Sequence, residues 1–233
     1  MPLRHDIRRG ALFILAATAL FSIMNVPVKL ASAELHFLQI MFFRSLLAVP
    51  VVLLLVLRAG THATLRTRRP GQHALRAMTG TTAMACSFYA LSVLPLAEQT
   101  ALTYTTPLFV TLLAIPFLGE KVGIHRIGAV LLGFCGILVI ALGKGAFSGA
   151  VTGPAAIGMA VAVAHGVFSA STTLLVRSLS STESSSTIVL WQSLLMTAFT
   201  GLAMPFVWAT PSGTGWLLLL AIGAVGGVAQ VML

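Results

Sequence analysis

Long apolar runs follow one another along this chain, with short polar segments between them. A helix needs about 20 mostly apolar residues to cross roughly 30 Å of hydrocarbon. Eight segments meet that requirement, at residues 11–31, 37–57, 77–94, 97–118, 123–143, 154–175, 187–208 and 216–233. The runs are continuously apolar instead of alternating, which argues against barrel strands. The pattern therefore predicts an all-α fold, a polytopic membrane helical bundle.

The composition supports the same class of protein. Of the 233 residues, 58% are hydrophobic and 8% are charged, whereas a soluble domain has about 25% charged residues. A water-soluble globule and a disordered chain are both excluded. The two cysteines, Cys86 and Cys135, lie in apolar runs without metal-site spacing. We therefore expect no cofactor and no metal.

The net charge of +9 raises the question of a nucleic-acid partner, which the placement of the basic residues answers. Eleven of the 14 lie in four places just outside apolar runs: Arg4, Arg8 and Arg9; Arg58, Arg66, Arg68, Arg69 and Arg76; Lys121 and Arg126; and Arg177. Such clusters mark cytoplasmic loops. They predict a multi-pass protein of the inner (plasma) membrane with a cytoplasmic amino terminus, whose partner is the lipid bilayer and not nucleic acid.

The chain resembles itself at an offset of 148 residues. This offset aligns Lys29 with Arg177, Arg44 with Gln192, and Ser45-Leu46-Leu47 with Ser193-Leu194-Leu195. Five spans per repeat force the second repeat to insert upside down relative to the first. Inverted repeats of this kind are typical of secondary transporters, whose substrate site lies near the midplane. We predict a first repeat over residues 1–146 and an incomplete second repeat, with three spans, over residues 147–233.

Polar groups recur inside the first two spans. Thr18, Ser22, Asn25, Lys29 and Ser32 share one face of the first span, and Pro27 predicts a bend there. For the hydroxyl groups we favour hydrogen bonds to neighbouring helices, and for Asn25 and Lys29 a cavity wall. Arg44 lies at a depth similar to that of Lys29. Both cations would face the bundle interior, with snorkelling to the outer interface as the alternative.

The remaining candidates lie in the fourth and sixth spans. Glu98 is the carboxylate expected at the depth of Lys29 and Arg44, and Tyr104 follows it in the fourth span. Pro107 should free a carbonyl in the same span, either as part of a site or as an architectural kink. His165 is read as a structural, hydrogen-bonded histidine, with a proton relay shared with Glu98 as the alternative. Small residues spaced four apart, Gly119 with Gly123, Ala129 with Gly133, and Gly223 with Gly227, are read as packing residues.

Several motifs resemble those of the EamA-type transporters in the drug/metabolite transporter superfamily. They are Asn25-Val26-Pro27-Val28-Lys29, Phe42-Phe43-Arg44-Ser45, Leu94-Pro95-Leu96-Ala97 and the stretch from Pro107 through Phe117-Leu118-Gly119-Glu120-Lys121 to Gly136. The resemblance implies ten helices in two inverted five-helix repeats around a cavity, and the transport of small metabolites, often the export of amino acids. Here the second repeat stops after its third helix. A truncated product is expected, or a chain that pairs with another, for example as a homodimer.

These features predict a secondary transporter that exports a small polar or zwitterionic metabolite, such as an amino acid, by alternating access. Its expected substrate-binding residues are Asn25, Lys29, Arg44, Glu98 and Tyr104. The alternative is a non-transporting membrane fragment or helix-packing partner. An enzyme is not expected, because Asp6 is the sole aspartate and no nucleophile and base share an evident site. Substrate identity, direction and coupling ion are left open by the sequence.

Overall fold

The computed structural model describes residues 7–58, 67–119, 122–143 and 153–232, and its regular structure in these ranges is helical. The helices are α1 (Ile7–Ala31), α2 (Phe37–Arg58), α3 (Pro70–Val93), α4 (Leu96–Thr103), α5 (Thr105–Leu118), α6 (Ile124–Gly143), α7 (Pro154–Leu179), α8 (Ser185–Gly201), α9 (Met204–Val207) and α10 (Gly213–Met232). Each predicted span coincides with one helix or with a pair of helices. The prediction of an all-α membrane bundle is confirmed.

Five helical stretches of the described chain are long and apolar enough to cross a membrane. They are Leu12–Ala31, Phe37–Leu54, Leu96–Phe117, Pro154–Leu179 and Gly213–Gln230. The third of these includes both α4 and α5, which meet at Tyr104. These five stretches support a protein that crosses the membrane several times.

The chain divides into two compact units that do not follow the order of the sequence. The first unit contains residues 1–68 and 184–233, and the second contains residues 69–183. Helices α1, α2, α8, α9 and α10 therefore belong to the first unit, and α3 to α7 to the second. This division concerns packing, so the repeats over residues 1–146 and 147–233 stay a prediction. Their boundary, between residues 146 and 147, lies outside the described residues, as do Glu120 and Lys121 of the motif that follows Pro107.

In the first unit, α10 packs against α1 and α2, and α2 also packs against α8. Two glycines make the α10 contact close. A Cβ atom on Gly223 would overlap Leu47, and one on Gly227 would lie 3.0 Å from Val51 Cβ and 3.2 Å from Ala48 Cα. Helices in lipid gain little from hydrophobic burial and associate through such close contacts. The packing role predicted for this glycine pair agrees with these distances.

In the second unit, α7 packs against α3 and α5. Ala90, Leu94, Leu102 and Ala162 form a buried apolar cluster there. Small residues again allow the approach, since a Cβ atom on Gly133 would lie 2.7 Å from Leu108 Cδ2.

The packing role predicted for Gly119 and Gly123 is wrong, because a Cβ atom on either would meet no described atom within 4 Å. Gly119 instead ends α5 with φ at 65°, a left-handed conformation that glycine adopts without steric cost.

Candidate functional site

Arg44 is the most deeply enclosed of the predicted site residues. Its side chain is 3% exposed, and its Cζ lies 5.9 Å from the centre of the Phe21 ring on α1. A Cβ atom on Gly226 of α10 would lie 3.2 Å from Arg44 Nε and 3.1 Å from Met24 Sδ. Helices α1 and α10 therefore enclose this cation, and Gly226 leaves the room that the side chain occupies.

The burial of Arg44 argues against snorkelling of its head group to the outer interface. An arginine in mid-membrane costs about 2.5–3.5 kcal/mol on insertion scales, and such residues usually serve a substrate or ion pathway. The Phe21 ring contributes attraction through its negative face, about 2 kcal/mol when the cation is desolvated. A cation at this place can attract an anionic group of a substrate.

Asn25 and Lys29 lie in the same unit as Arg44. Both are half-buried, and each directly follows a buried residue of α1, Met24 at 3% exposure and Val28 at 1%. They therefore flank the side of α1 that is packed inward. Helix α1 continues without interruption through Pro27, so the bend expected there stays a prediction.

The hydroxyl groups of α1 bond differently from the prediction. Thr18 Oγ1 donates to the Ile14 carbonyl at 2.8 Å, Ser22 Oγ to the Thr18 carbonyl at 3.0 Å, and Ser32 Oγ to the Lys29 carbonyl at 2.7 Å. The expectation that they bond to neighbouring helices is wrong. A hydroxyl three or four residues after a carbonyl reaches it within one turn, so no second helix is needed.

In the second unit, Glu98 and Tyr104 occupy opposite ends of α4. Glu98 is half-buried in the first helical turn. Tyr104 is 72% exposed and borders an open groove of about 790 Å³, lined mostly by apolar carbons of α4, α5 and α6 such as those of Leu108 and Ile137. This lining suits an acyl chain better than a charged metabolite. Tyr104 is thus placed at the helix break that Pro107 predicted, but in apolar surroundings.

His165 joins α7 to α3. Its Nδ1 lies 2.8 Å from the Ala83 carbonyl oxygen, a distance at which the ring nitrogen donates a hydrogen bond. About two turns later, Thr172 Oγ1 donates to Thr79 Oγ1 at 3.0 Å. Two polar contacts therefore lie along the α3 and α7 interface. They agree with a structural role for His165.

The sequence reading gave no site role to Gln99, which the structure buries to 3% exposure. Its Nε2 donates to Ser87 Oγ at 3.0 Å and to Thr103 Oγ1 at 3.1 Å. The shared helical face of Gln99 and Thr103 was visible in the sequence. The contact with Ser87 could not be read there, because it joins two helices.

Gln39 is a second buried amide that the sequence reading missed. It is completely buried; its Nε2 donates to the Ala209 carbonyl at 2.6 Å, and its Oε1 accepts from the Ala209 N–H at 3.0 Å. This pair of bonds fixes the start of α2 to the segment before α10. Nearby, Glu34 Oε1 accepts a hydrogen bond from Ser212 Oγ at 3.1 Å.

A titratable group lies in the first turn of α3, before the third predicted span. His73 is 1% exposed. Burial lowers the pKa of His73 most strongly; Glu183 raises it and Arg76 lowers it further. His73 is therefore neutral at pH 7.

The predicted site residues fall into two sets. Asn25, Lys29 and Arg44 belong to the first unit, and Glu98, Tyr104 and His165 belong to the second. Among the described residues, no three His, Cys, Asp or Glu side chains come together as a metal site. The cationic part of the site is accordingly a property of the first unit.

Comparison with known proteins identifies the family. Residues 8–142 match the model of the EamA-like transporter family. The chain is 33% identical to a riboflavin transporter of Vibrio cholerae, covering 99% of this chain and 76% of the relative. It is also 33% identical to a pseudopaline exporter of Pseudomonas aeruginosa, over 97% and 78%. An S-adenosylmethionine uptake transporter of Rickettsia bellii is 32% identical over 49% of this chain and 39% of the relative.

One solved structure shows the same fold, with a TM-score of 0.67 at 21% identity over 96% of this chain and 78% of that one. The resemblance read from the motifs is confirmed by the family match and by the relatives. The riboflavin transporter and the pseudopaline exporter are both named as transporters of small metabolites. The chain belongs to the EamA-like transporter family.

Proposed function

We propose that this chain is a secondary transporter that moves a small polar or zwitterionic metabolite across the inner membrane by alternating access. Membership of the EamA-like family and the transporter names of its relatives support this. Those names include both an exporter and uptake proteins. Export is the direction we propose, with an amino acid or a compound built from one as the substrate.

The substrate class is inferred from a single observation, the buried cation of Arg44. Arg44 is 3% exposed and enclosed by α1 and α10, and a guanidinium retained in mid-membrane needs a functional reason. An anionic group of the substrate, such as a carboxylate, supplies that reason, because guanidinium and carboxylate groups form two parallel hydrogen bonds. Asn25 and Lys29, half-buried on α1, would contribute a hydrogen bond and a second positive charge.

Proton coupling, where it occurs, would use Glu98 in preference to His165. The contact of His165 with the Ala83 carbonyl joins α7 to α3 and is a packing contact. Glu98 is a half-buried carboxylate in the first turn of α4. Tyr104 stays in the proposal as a residue of the helix break that changes position during transport.

The experiment is a transport assay with the 233-residue chain in proteoliposomes, using riboflavin, S-adenosylmethionine and glutamate as probes. Arg44→Ala should lower transport of the transported anionic or zwitterionic probe by about 10-fold to 100-fold, since hydrogen bonds to a charged group contribute about 1.5–3 kcal/mol. Arg44→Lys should retain part of the rate. The matched control is Arg126→Ala, which removes an exposed arginine of α6 and should leave transport unchanged.

Two outcomes would contradict the proposal. Wild-type vesicles that transport none of the three probes would remove the transport function. Equal rates for Arg44→Ala and Arg126→Ala, at equal protein incorporation, would remove Arg44 from substrate binding.

A further inference from the structure

Helices α2 and α8 correspond to each other in the predicted repeat. Helix α2 begins at Phe37 and α8 at Ser185, which is an offset of 148 residues. The preceding helices, α1 and α7, end at Ala31 and Leu179, again 148 residues apart. The offset that aligns Arg44 with Gln192 in the sequence therefore also aligns the ends of the helices.

Burial follows the same correspondence along the two helices. From Arg44 and Gln192 to Val52 and Thr200 there are nine aligned pairs. In eight of these nine pairs the two residues are buried, half-buried or exposed alike, and the exception is residues 51 and 199. Equivalent positions in this part of α2 and α8 thus have the same degree of burial.

One contact between the two helices is of the kind that helices running in opposite directions make. Phe42, near the start of α2, meets Gly201 at the end of α8, where a Cβ atom would lie 3.3 Å from Phe42 Cε2. With this register, α2 and α8 are opposite each other near Leu47 and Leu195. Arg44 and Gln192 lie on either side of that point, about 10 Å apart along the helices at 1.5 Å per residue.

The residues after Arg44 and Gln192 are both serines, and their hydroxyl groups differ in hydrogen bonding. Ser45 is 1% exposed, and its Oγ donates to the carbonyls of Met41 and Phe42, both at 3.0 Å. Ser193 is also 1% exposed, but its Oγ has no hydrogen-bond partner in the described part of the chain. A buried hydroxyl without a partner is costly and calls for an explanation, such as a ligand.

We propose that Gln192 and Ser193 bind the uncharged polar end of the substrate whose anionic end Arg44 binds; this rests on the proposed transport function. Gln192 is 8% exposed and offers an amide in place of the guanidinium of its repeat equivalent. The repeat thus supplies one cationic and one neutral polar position about 10 Å apart. Such a pair selects a substrate that is anionic at one end and uncharged at the other.

The test compares Ser193→Ala and Gln192→Ala with Ser45→Ala, in the 233-residue chain in proteoliposomes. The probes are S-adenosylmethionine and glutamine, each of which has a carboxylate at one end and an uncharged polar group at the other. Loss of one hydrogen bond to the substrate should raise KM by about threefold to tenfold in the first two variants. Ser45→Ala is the matched control and should leave KM unchanged, because its hydroxyl bonds to its own helix.

Thermal unfolding without substrate gives a second readout. Ser193→Ala should unfold at the wild-type temperature or above it, because the substitution removes a buried group that lacks a partner. A purely structural serine would give the opposite sign. The combination of weaker transport and unchanged or higher stability is the expected signature of a ligand-binding hydroxyl.

The outcomes separate this inference from the proposed function. If wild type transports neither these two probes nor riboflavin or glutamate, the transport proposal fails and this inference fails with it. If wild type transports riboflavin or glutamate but neither of these two probes, this inference alone is overturned. If wild type transports one probe and Ser193→Ala matches Ser45→Ala in KM, this inference alone is overturned. A lower unfolding temperature for Ser193→Ala would likewise assign Ser193 to packing.

Discussion

The contact between α10 and α2 gives a sharp stability prediction, Gly223→Ala. A Cβ atom at this position would overlap Leu47 Cβ and would lie 3.1 Å from Cδ1 and 3.3 Å from Cγ of the same side chain. Carbon atoms in favourable contact are about 3.5–4.0 Å apart. Because Leu47 Cβ is attached directly to the backbone of α2, rotation of the leucine side chain does not relieve the overlap. The two helices must therefore separate.

The expected loss is the difference between two opposing effects. Alanine in a helix interior is about 0.5–1 kcal/mol more favourable than glycine, while overpacking costs about 1–3 kcal/mol. We expect Gly223→Ala to lower the free energy of unfolding of the first unit by about 1–2 kcal/mol. For a chain of this size that corresponds to a melting temperature about 3–6 °C lower.

Tryptophan fluorescence during heating in detergent is the appropriate assay. Trp191, Trp208 and Trp216 are all the tryptophans of the chain and belong to the first unit. Gly10→Ala is the control, since a Cβ atom at Gly10 of α1 would meet nothing within 4 Å in the part of the chain that the structure describes. Equal melting temperatures for Gly223→Ala and Gly10→Ala would refute the close approach of α10 to α2.

Three further predictions concern polar contacts. Gln39→Leu should lower the free energy of unfolding of the first unit by about 2–4 kcal/mol in the same fluorescence assay, because the N–H and carbonyl of Ala209 lose the bonds described above. His165→Leu should lower the free energy of unfolding by about 1 kcal/mol through loss of the Ala83 contact, which a thermal aggregation assay would detect. The pH profile of transport should stay unchanged in this variant. A displaced profile would assign His165 to a proton relay. Burial lowers the pKa of His73 in the folded chain. The unfolded chain therefore binds a proton at His73 more tightly than the folded chain does. The stability that neutral His73 allows above its ordinary pKa of 6.5 is lost as the pH falls. His73→Phe should flatten the fall in melting temperature between about pH 7 and pH 5, and an unchanged slope would contradict this.

The helices could be predicted from the sequence because membrane thickness fixes their length. The predicted span 37–57 and the helix Phe37–Arg58 differ by one residue, and the predicted break near Pro107 occurs at Tyr104. The glycines were harder to interpret. Gly119 and Gly223 both precede another glycine by four residues, yet the first ends a helix with positive φ and the second packs against Leu47. The spacing of glycines in the sequence indicates neither the local backbone conformation nor which helix lies next to them.

The site could be predicted only in part, for a related reason. A buried cation is costly wherever it lies, so Arg44 was recognisable from its depth in an apolar run. Buried amides carry no such signal. The partners of Gln39 and Gln99, Ala209 and Ser87, lie on other segments, so the sequence does not show these contacts.

Hydroxyl groups show most directly what the structure adds to the sequence. In apolar surroundings a serine or threonine must bond to something, and its own helix offers a carbonyl one turn earlier. Thr18, Ser22 and Ser45 form that bond, which uses the one hydrogen that each hydroxyl can donate. Ser193 does not form it in the described part of the chain, although it is as deeply buried as Ser45, at 1% exposure. The difference between repeat-equivalent serines, and not the presence of a serine, is what makes Ser193 a candidate for binding.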